Sequence, residues 1–126
     1  MKKALVFTIL LIVITLSGLL TQLPWWSFTV PVFFIGVLLP LQKWKVLPFV
    51  WGFLAGFFVW LMATLYFNYA YDGEFMNSVA QIGNISITLL YVVIGLIGGV
   101  LSGLAFYSGY LLRKGREALK LELPKE

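Results

Sequence analysis

The chain has 126 residues, 61% of them hydrophobic and only 11% charged, too little polar surface to cover a soluble globule; the length fits one compact membrane domain spanning residues 1–126. Cys and His are both absent, which removes disulfides, thiol catalysis, histidine proton relays and nearly every transition-metal site. The net charge of +4 does not make a nucleic-acid surface, because the bases flank apolar stretches and form no patch with interleaved aromatics.

In chain order, the first apolar stretch runs from Ala4 to Leu20 behind Lys2 and Lys3. It mimics a signal peptide but is long for one, and Thr15 and Ser17 before Gly18 make a poor cleavage site, so it reads as a retained anchor. The second, Trp25 to Leu41, is short: at ~1.5 Å per residue it reaches about 25 Å, against a hydrocarbon core of about 30 Å. Pro31 lacks the N–H that the Ser27 carbonyl needs, so a kink is expected there. A re-entrant loop is the rival reading; it would set Lys43 and Lys45 opposite Lys2 and Lys3, and spanning is preferred. The third stretch, Val46 to Asn68, takes Pro48 in its first turn.

Between Tyr69 and Gly83 lies the one sizeable loop, with Asp72-Gly73 as a tight turn. Phe75, Met76, Val79 and Ile82 would share a face of a short surface helix, but a plain connecting loop is the preferred reading. Asn68 and Asn84 are expected to cap the helices on either side. The fourth stretch, Ile85 to Leu112, exceeds what a bilayer needs and must tilt or project. Residues 113–126 read as a frayed or disordered tail. Trp25, Trp26 and Trp44 fit interfacial belts, as do Tyr66, Tyr69 and Tyr71, while Arg113 and Lys114 anchor the end of the fourth stretch.

All nine basic residues can be placed on one side: Lys2 and Lys3; Lys43 and Lys45; Arg113, Lys114, Arg116, Lys120 and Lys125. The other two connections hold none, and one carries Asp72 and Glu74. Lys and Arg are retained on the cytoplasmic side of membrane spans. The fold class expected is therefore all-α: a four-helix transmembrane bundle with both termini cytoplasmic and a Pro-kinked second helix. The same asymmetry argues against a dual-topology dimer, and anionic headgroups of the inner leaflet are the natural partners of the bases.

Gly95, Gly99 and Gly103 recur every four residues, flanked by Gly98, Ser102 and Gly109, and so share one helix face open to close approach. Val93, Leu96, Val100, Leu104 and Leu111 lie opposite. Gly52 and Gly56, with Ala63 further along, form a weaker stripe in the third stretch, and Phe49, Phe53 and Phe57 a separate aromatic one. The fourth helix packing on the third within one subunit is the first reading; homo-oligomerisation through the stripe is the second and a glycine-lined pore the third. Catalysis finds no material. No Asp, Glu, Lys, Arg or His lies at mid-membrane depth, and no Ser or Thr has a base to activate it. Thr8, Thr15, Thr29, Thr64, Thr88 and Ser102 are expected to bond helix carbonyls or a neighbouring helix. No catalytic, cofactor or metal residue is assigned.

Leu23-Pro24-Trp25-Trp26, PVFFIGVLLP from Pro31 to Pro40, GFLAGFFVW from Gly52 to Trp60 and GGVLSGLAFYSGYLLRK from Gly98 to Lys114 resemble a group of uncharacterised small four-span proteins of Bacteroidota. The resemblance implies a bacterial inner-membrane protein and brings no activity or site with it. Small multidrug exporters are set apart by their membrane-embedded Glu, which this chain lacks. The expectation is a non-enzymatic accessory, assembly or scaffold subunit of a larger inner-membrane complex, with membrane lipids and either a protein partner or further copies of itself around it. The alternative is a small homo-oligomeric channel or transporter for a neutral or lipid-like solute.

Overall fold

The computed structural model describes residues 2–20, 22–70 and 73–123, with the side chains of Phe75 and Met76 outside that description. Five α-helices follow one another: α1 (Lys2–Leu19), α2 (Thr29–Leu38), α3 (Pro48–Ala70), α4 (Glu74–Gly83) and α5 (Ile87–Glu122). A 3-10 turn, Trp25–Phe28, leads directly into α2. Among the described residues there is no strand. Three helices, α1, α3 and α5, are long and apolar enough to cross a membrane, and Trp25–Leu38 is a shorter apolar segment.

The helix boundaries have local causes. Pro31, expected to kink the second span, falls in the first turn of α2, where its missing N–H removes no intrahelical bond. The chain tightens to 3-10 before it instead. Pro40 ends α2 early, because the residue before a proline is pushed out of the α region, and Leu39 is extended at φ −81° and ψ 138°. Buried Leu41 and Val46 then anchor a tight connection closed by the Val46 N–H donating to the Leu41 carbonyl at 3.1 Å. Within it Lys45 adopts the left-handed region at φ 52°, an uncommon conformation for a residue with a β-carbon.

Three expectations are corrected at the other connections. The preferred plain loop contains a helix, α4, of which Val79 and Ala80 pack near Leu90, Tyr91 and Ile94 of α5, while Ile82 is exposed. Asn84 does not cap α5; it sits left-handed at φ 51° and closes α4, and Ser86 caps α5 by accepting from the Leu89 N–H at 3.2 Å. Asn68 lies inside α3, its carbonyl accepting from the Gly73 N–H at 2.8 Å. The expected tail is helical as far as Glu122, giving α5 36 residues, about 54 Å at ~1.5 Å per residue. Its polar end is a continuation of a helix already nucleated, and so pays no new initiation cost. Tyr71, Asp72, the side chains of Phe75 and Met76, and residues 124–126 lie outside the described residues.

Each helix of the bundle leans on two others: α5 on α3 and α2, and α1 on α3 and α2. Along α1, Val6, Leu10 and Ile14 recur every four residues and are buried, whereas Leu5, Ile12, Leu16 and Leu19 face outward. The α3–α5 contact is the most intimate. A β-carbon added at Gly56 would stand 2.5 Å from the Gly98 carbonyl oxygen and from Ser102 Cβ, and one at Gly52 3.0 Å from Gly103 Cα. The phenylalanine stripe expected to be separate belongs to this same contact. Phe57, Phe53 and Phe49 lie on Gly95, Gly99 and Gly103 at 2.9–3.0 Å from their would-be β-carbons or, for Phe49, through its carbonyl at 3.0 Å. Their rings stack on one another, at 6.2 Å for Phe49 to Phe53 and 6.0 Å for Phe53 to Phe57. Residues three and four apart adjoin on a helix surface, so the Gly52–Gly56 and Phe49–Phe53–Phe57 rows form one broad face. The pairing runs antiparallel, and Val93, Leu96, Val100, Leu104 and Leu111 remain exposed on the far side of α5.

Glycine substitutions should therefore split by sign. Gly56→Ala and Gly36→Ala, whose β-carbons would meet backbone oxygens at 2.5 Å, should destabilise by about 1–3 kcal/mol. Gly18→Ala and Gly115→Ala, with nothing within 4 Å among the described residues, should be neutral or stabilising by up to about 1 kcal/mol from helix propensity. Thermal melts of the four variants in one detergent check the order.

Candidate functional site

One end of the bundle gathers basic side chains from three separate parts of the chain. The Lys2 ammonium at the start of α1 stands 5.5 Å from the centre of the Trp44 ring, in the α2–α3 connection. From the same connection, Pro40, Gln42 and Lys43 face Tyr110, Arg113, Lys114 and Glu117 of α5 across a half-open cleft of about 310 Å³. The cleft exists because Pro40 stops α2 where α5 continues for two and more turns beyond it.

Arg113 fixes the geometry here. Its Nη1 donates to the carbonyls of Val37 and Leu38, at 3.2 and 2.5 Å, and its Nε to Glu117 at 3.1 Å. A helix leaves its last carbonyls without intrahelical donors and carries a partial negative charge at that end. A cation from α5 thus satisfies both needs of α2. The approach that lets it reach is again glycine on glycine: a β-carbon at Gly109 would lie 3.0 Å from Gly36 Cα, and one at Gly36 2.5 Å from the Phe106 carbonyl oxygen.

The residues singled out from the sequence fall into three places. Gly52, Gly56, Gly95, Gly99 and Gly103 come together in the α3–α5 contact. Arg113 and Lys114 line the basic cleft, with Trp44 beside it. Trp25 and Trp26 are exposed near the other turn of the α1–α2 hairpin, and Trp25 meets Trp60 edge-on at 6.2 Å. Sequence reasoning missed the Gly36–Gly109 contact, the seating of Gly98 under the Trp60 ring, and the capping of α2 by Arg113. A small residue in each of two neighbouring apolar helices was the available signal for the first; nothing local signalled the last.

The opposite end holds a second, more open cleft of about 520 Å³, lined by Asn77, Gln81, Asn84 and Ser86 with Ala80, Ile85 and Ile87. In between, Thr8, Thr15, Ser17, Thr64 and Ser108 donate to carbonyls one turn back in their own helices at 2.7–2.8 Å, and Thr29 to the Trp26 carbonyl at 2.8 Å. Ser102 differs from the expectation: its hydroxyl is buried at the α3–α5 contact with no partner among the described residues. Among the described residues no three His, Cys, Asp or Glu side chains converge as metal ligands.

By length and composition of its helices the chain is a membrane protein. No protein-family model, curated protein or solved structure matches it.

Removing the α2 cap should be selective. Arg113→Ala should destabilise by about 0.5–1.5 kcal/mol, the net worth of ordinary hydrogen bonds, because the Val37 and Leu38 carbonyls keep access to solvent, with amide exchange accelerating first in α2. Glu117→Ala should cost no more than about 0.5 kcal/mol, as expected for a partly exposed i,i+4 pair. Hydrogen exchange in detergent distinguishes the two.

Proposed function

We propose that this chain is a non-enzymatic accessory or assembly subunit of a larger complex in a bacterial inner membrane, inserted as four spans with both termini cytoplasmic. The observation that carries the role is where the hydroxyls go. A carrier points several of them into one wet path, whereas here Thr8, Thr15, Ser17, Thr64 and Ser108 donate within their own helices, Ser102 is buried at the α3–α5 contact, and that contact is closed by glycine and phenylalanine. The outward face is apolar over most of its length, with Phe34, Leu38, Met62, Tyr66 and Phe67 all more than half exposed. Such a surface suits lipid and the helices of a partner.

The topology rests on charge. Lys2, Lys43, Arg113 and Lys114 share one end of the bundle, and Glu74 begins α4 beyond the opposite end of α3. Retention of bases on the cytoplasmic side then orients the whole molecule. The 3-10 turn and α2 together reach about 23 Å, from ~2.0 Å and ~1.5 Å per residue, so this span crosses with the bilayer locally thinned. The junction at Phe28 and Thr29, just before Pro31, takes the place of a kink inside the helix.

Purification of a tagged chain from its native membrane in mild detergent tests the role. A partner recovered in fixed ratio, and lost from the membrane when the gene is deleted, is the expected result. A chain that purifies as a homo-oligomer and makes liposomes permeable to a neutral solute would overturn it. Single cysteines at Lys3, Lys43, Gly73 and Lys120 test the orientation: an impermeant thiol reagent on intact cells should label Gly73→Cys alone.

A further inference from the structure

We propose that the cleft between the α2–α3 connection and α5 is a binding site for a phosphate-bearing anion, and that its occupant is the headgroup phosphodiester of an anionic phospholipid. The inference needs only a membrane around the chain, and stands apart from the accessory role.

The cleft holds three cations, Lys43, Arg113 and Lys114, against one carboxylate, Glu117. That carboxylate is already engaged by Arg113 Nε at 3.1 Å, and neither lysine has an acidic partner within ion-pair distance among the described residues. Arg113 is held still by the α2 carbonyls on Nη1 and by Glu117 on Nε. Its remaining terminal nitrogen, Nη2, keeps two donors in hand, since a guanidinium has five N–H groups. A guanidinium held in place, with Lys43 and Lys114 lining the same cleft, matches the several acceptor oxygens of a phosphate. The volume, about 310 Å³, is enough for a headgroup.

A lipid is favoured over a free anion by what adjoins the cleft. Leu38, whose carbonyl Arg113 holds, is 72% exposed, and Phe34, Tyr107 and Leu111 are exposed nearby on α2 and α5. Acyl chains descending from a headgroup in the cleft would lie along this surface. The exposed leucine beside a fixed arginine is thereby explained: both are positioned by the end of α2, one for the chain and one for the phosphate. Basic pockets between membrane helices hold anionic headgroups in this way.

The test is native mass spectrometry of the detergent-purified full chain titrated with dioleoyl phosphatidylglycerol. Dioleoyl phosphatidylcholine and inorganic phosphate are the comparison probes. Lys43→Gln with Lys114→Gln removes two cleft charges while leaving Arg113 and the α2 cap alone; Arg116→Gln with Lys120→Gln removes two charges from exposed positions on α5 beyond the cleft lining. One phosphatidylglycerol should bind in preference to phosphatidylcholine, and the cleft pair should weaken it about tenfold or more while the control pair changes it less than about threefold. Equal weakening by both pairs would overturn the proposal, since it would mean diffuse attraction to a basic surface. So would equal binding of phosphatidylcholine, or displacement of the lipid by inorganic phosphate at matching concentration, which would make the occupant a free anion.

Discussion

Everything in this bundle depends on how closely α3 and α5 approach. In a membrane the surrounding lipid is as apolar as the side chains, so burying leucine against leucine gains little and helices associate through packing density and hydrogen bonds. The glycines at 52, 56, 95, 98, 99 and 103 turn that constraint into a fold. They let one backbone lie against the other and give the Phe49, Phe53 and Phe57 rings flat ground to stack on. The contact is made of many small dispersion terms, each about 0.1–0.2 kcal/mol per atom pair. A single added methyl at the closest points therefore disturbs a long stretch of it.

From that contact the rest of the molecule is placed. Its continuation down α5 brings Gly109 to Gly36 and so seats α2, a helix too short and too polar at its cut end to be stable alone. Arg113 completes the seat by taking the carbonyls that Pro40 leaves without partners. The consequence is functional as well as structural. Stopping α2 early while α5 runs on opens the basic cleft, which Arg113 lines together with Lys43 and Lys114. The end of the molecule that carries the charge is thus organised by the same close packing that holds its middle together.

The parts of this arrangement that were legible in the sequence are those written as periodicity. The glycine row of α5, its bulky opposite face, Pro48 in the first turn of α3 and the bonding of Thr8, Thr15, Thr29 and Thr64 to helix carbonyls follow from spacing and residue type alone. What was hidden is tertiary. The role of Arg113 needs the end of α2 and the far part of α5 in one place, and no local pattern shows that. The phenylalanine row looked independent because a helical face is wider than one row of i,i+4 residues. Asn84 and Ser86 are two residues apart with overlapping capping preferences, so only the backbone decides which helix each one serves. The connecting loop hid α4 because ten residues of mixed polarity are below the length at which a helix stands by itself; contact with α5 supplies the difference. The polar tail looked disordered because composition cannot show that a helix already formed will continue through it.

The central claim is that the α3–α5 contact forms within one chain, antiparallel and in the register set by Gly52 against Gly103. The absence of cysteine makes this directly measurable. A β-carbon at Gly52 would lie 3.0 Å from Gly103 Cα, so a slight parting of the two helices brings the pair to the roughly 3.5–4.5 Å between β-carbons that a disulfide spans. Mild oxidation of the Gly52→Cys, Gly103→Cys double variant in membranes should give a monomer without free thiols, running faster on a non-reducing gel, while Gly52→Cys paired with Val100→Cys on the outer face of α5 should stay reduced. A covalent dimer from the first pair, or equal cross-linking of the two pairs, would contradict the account.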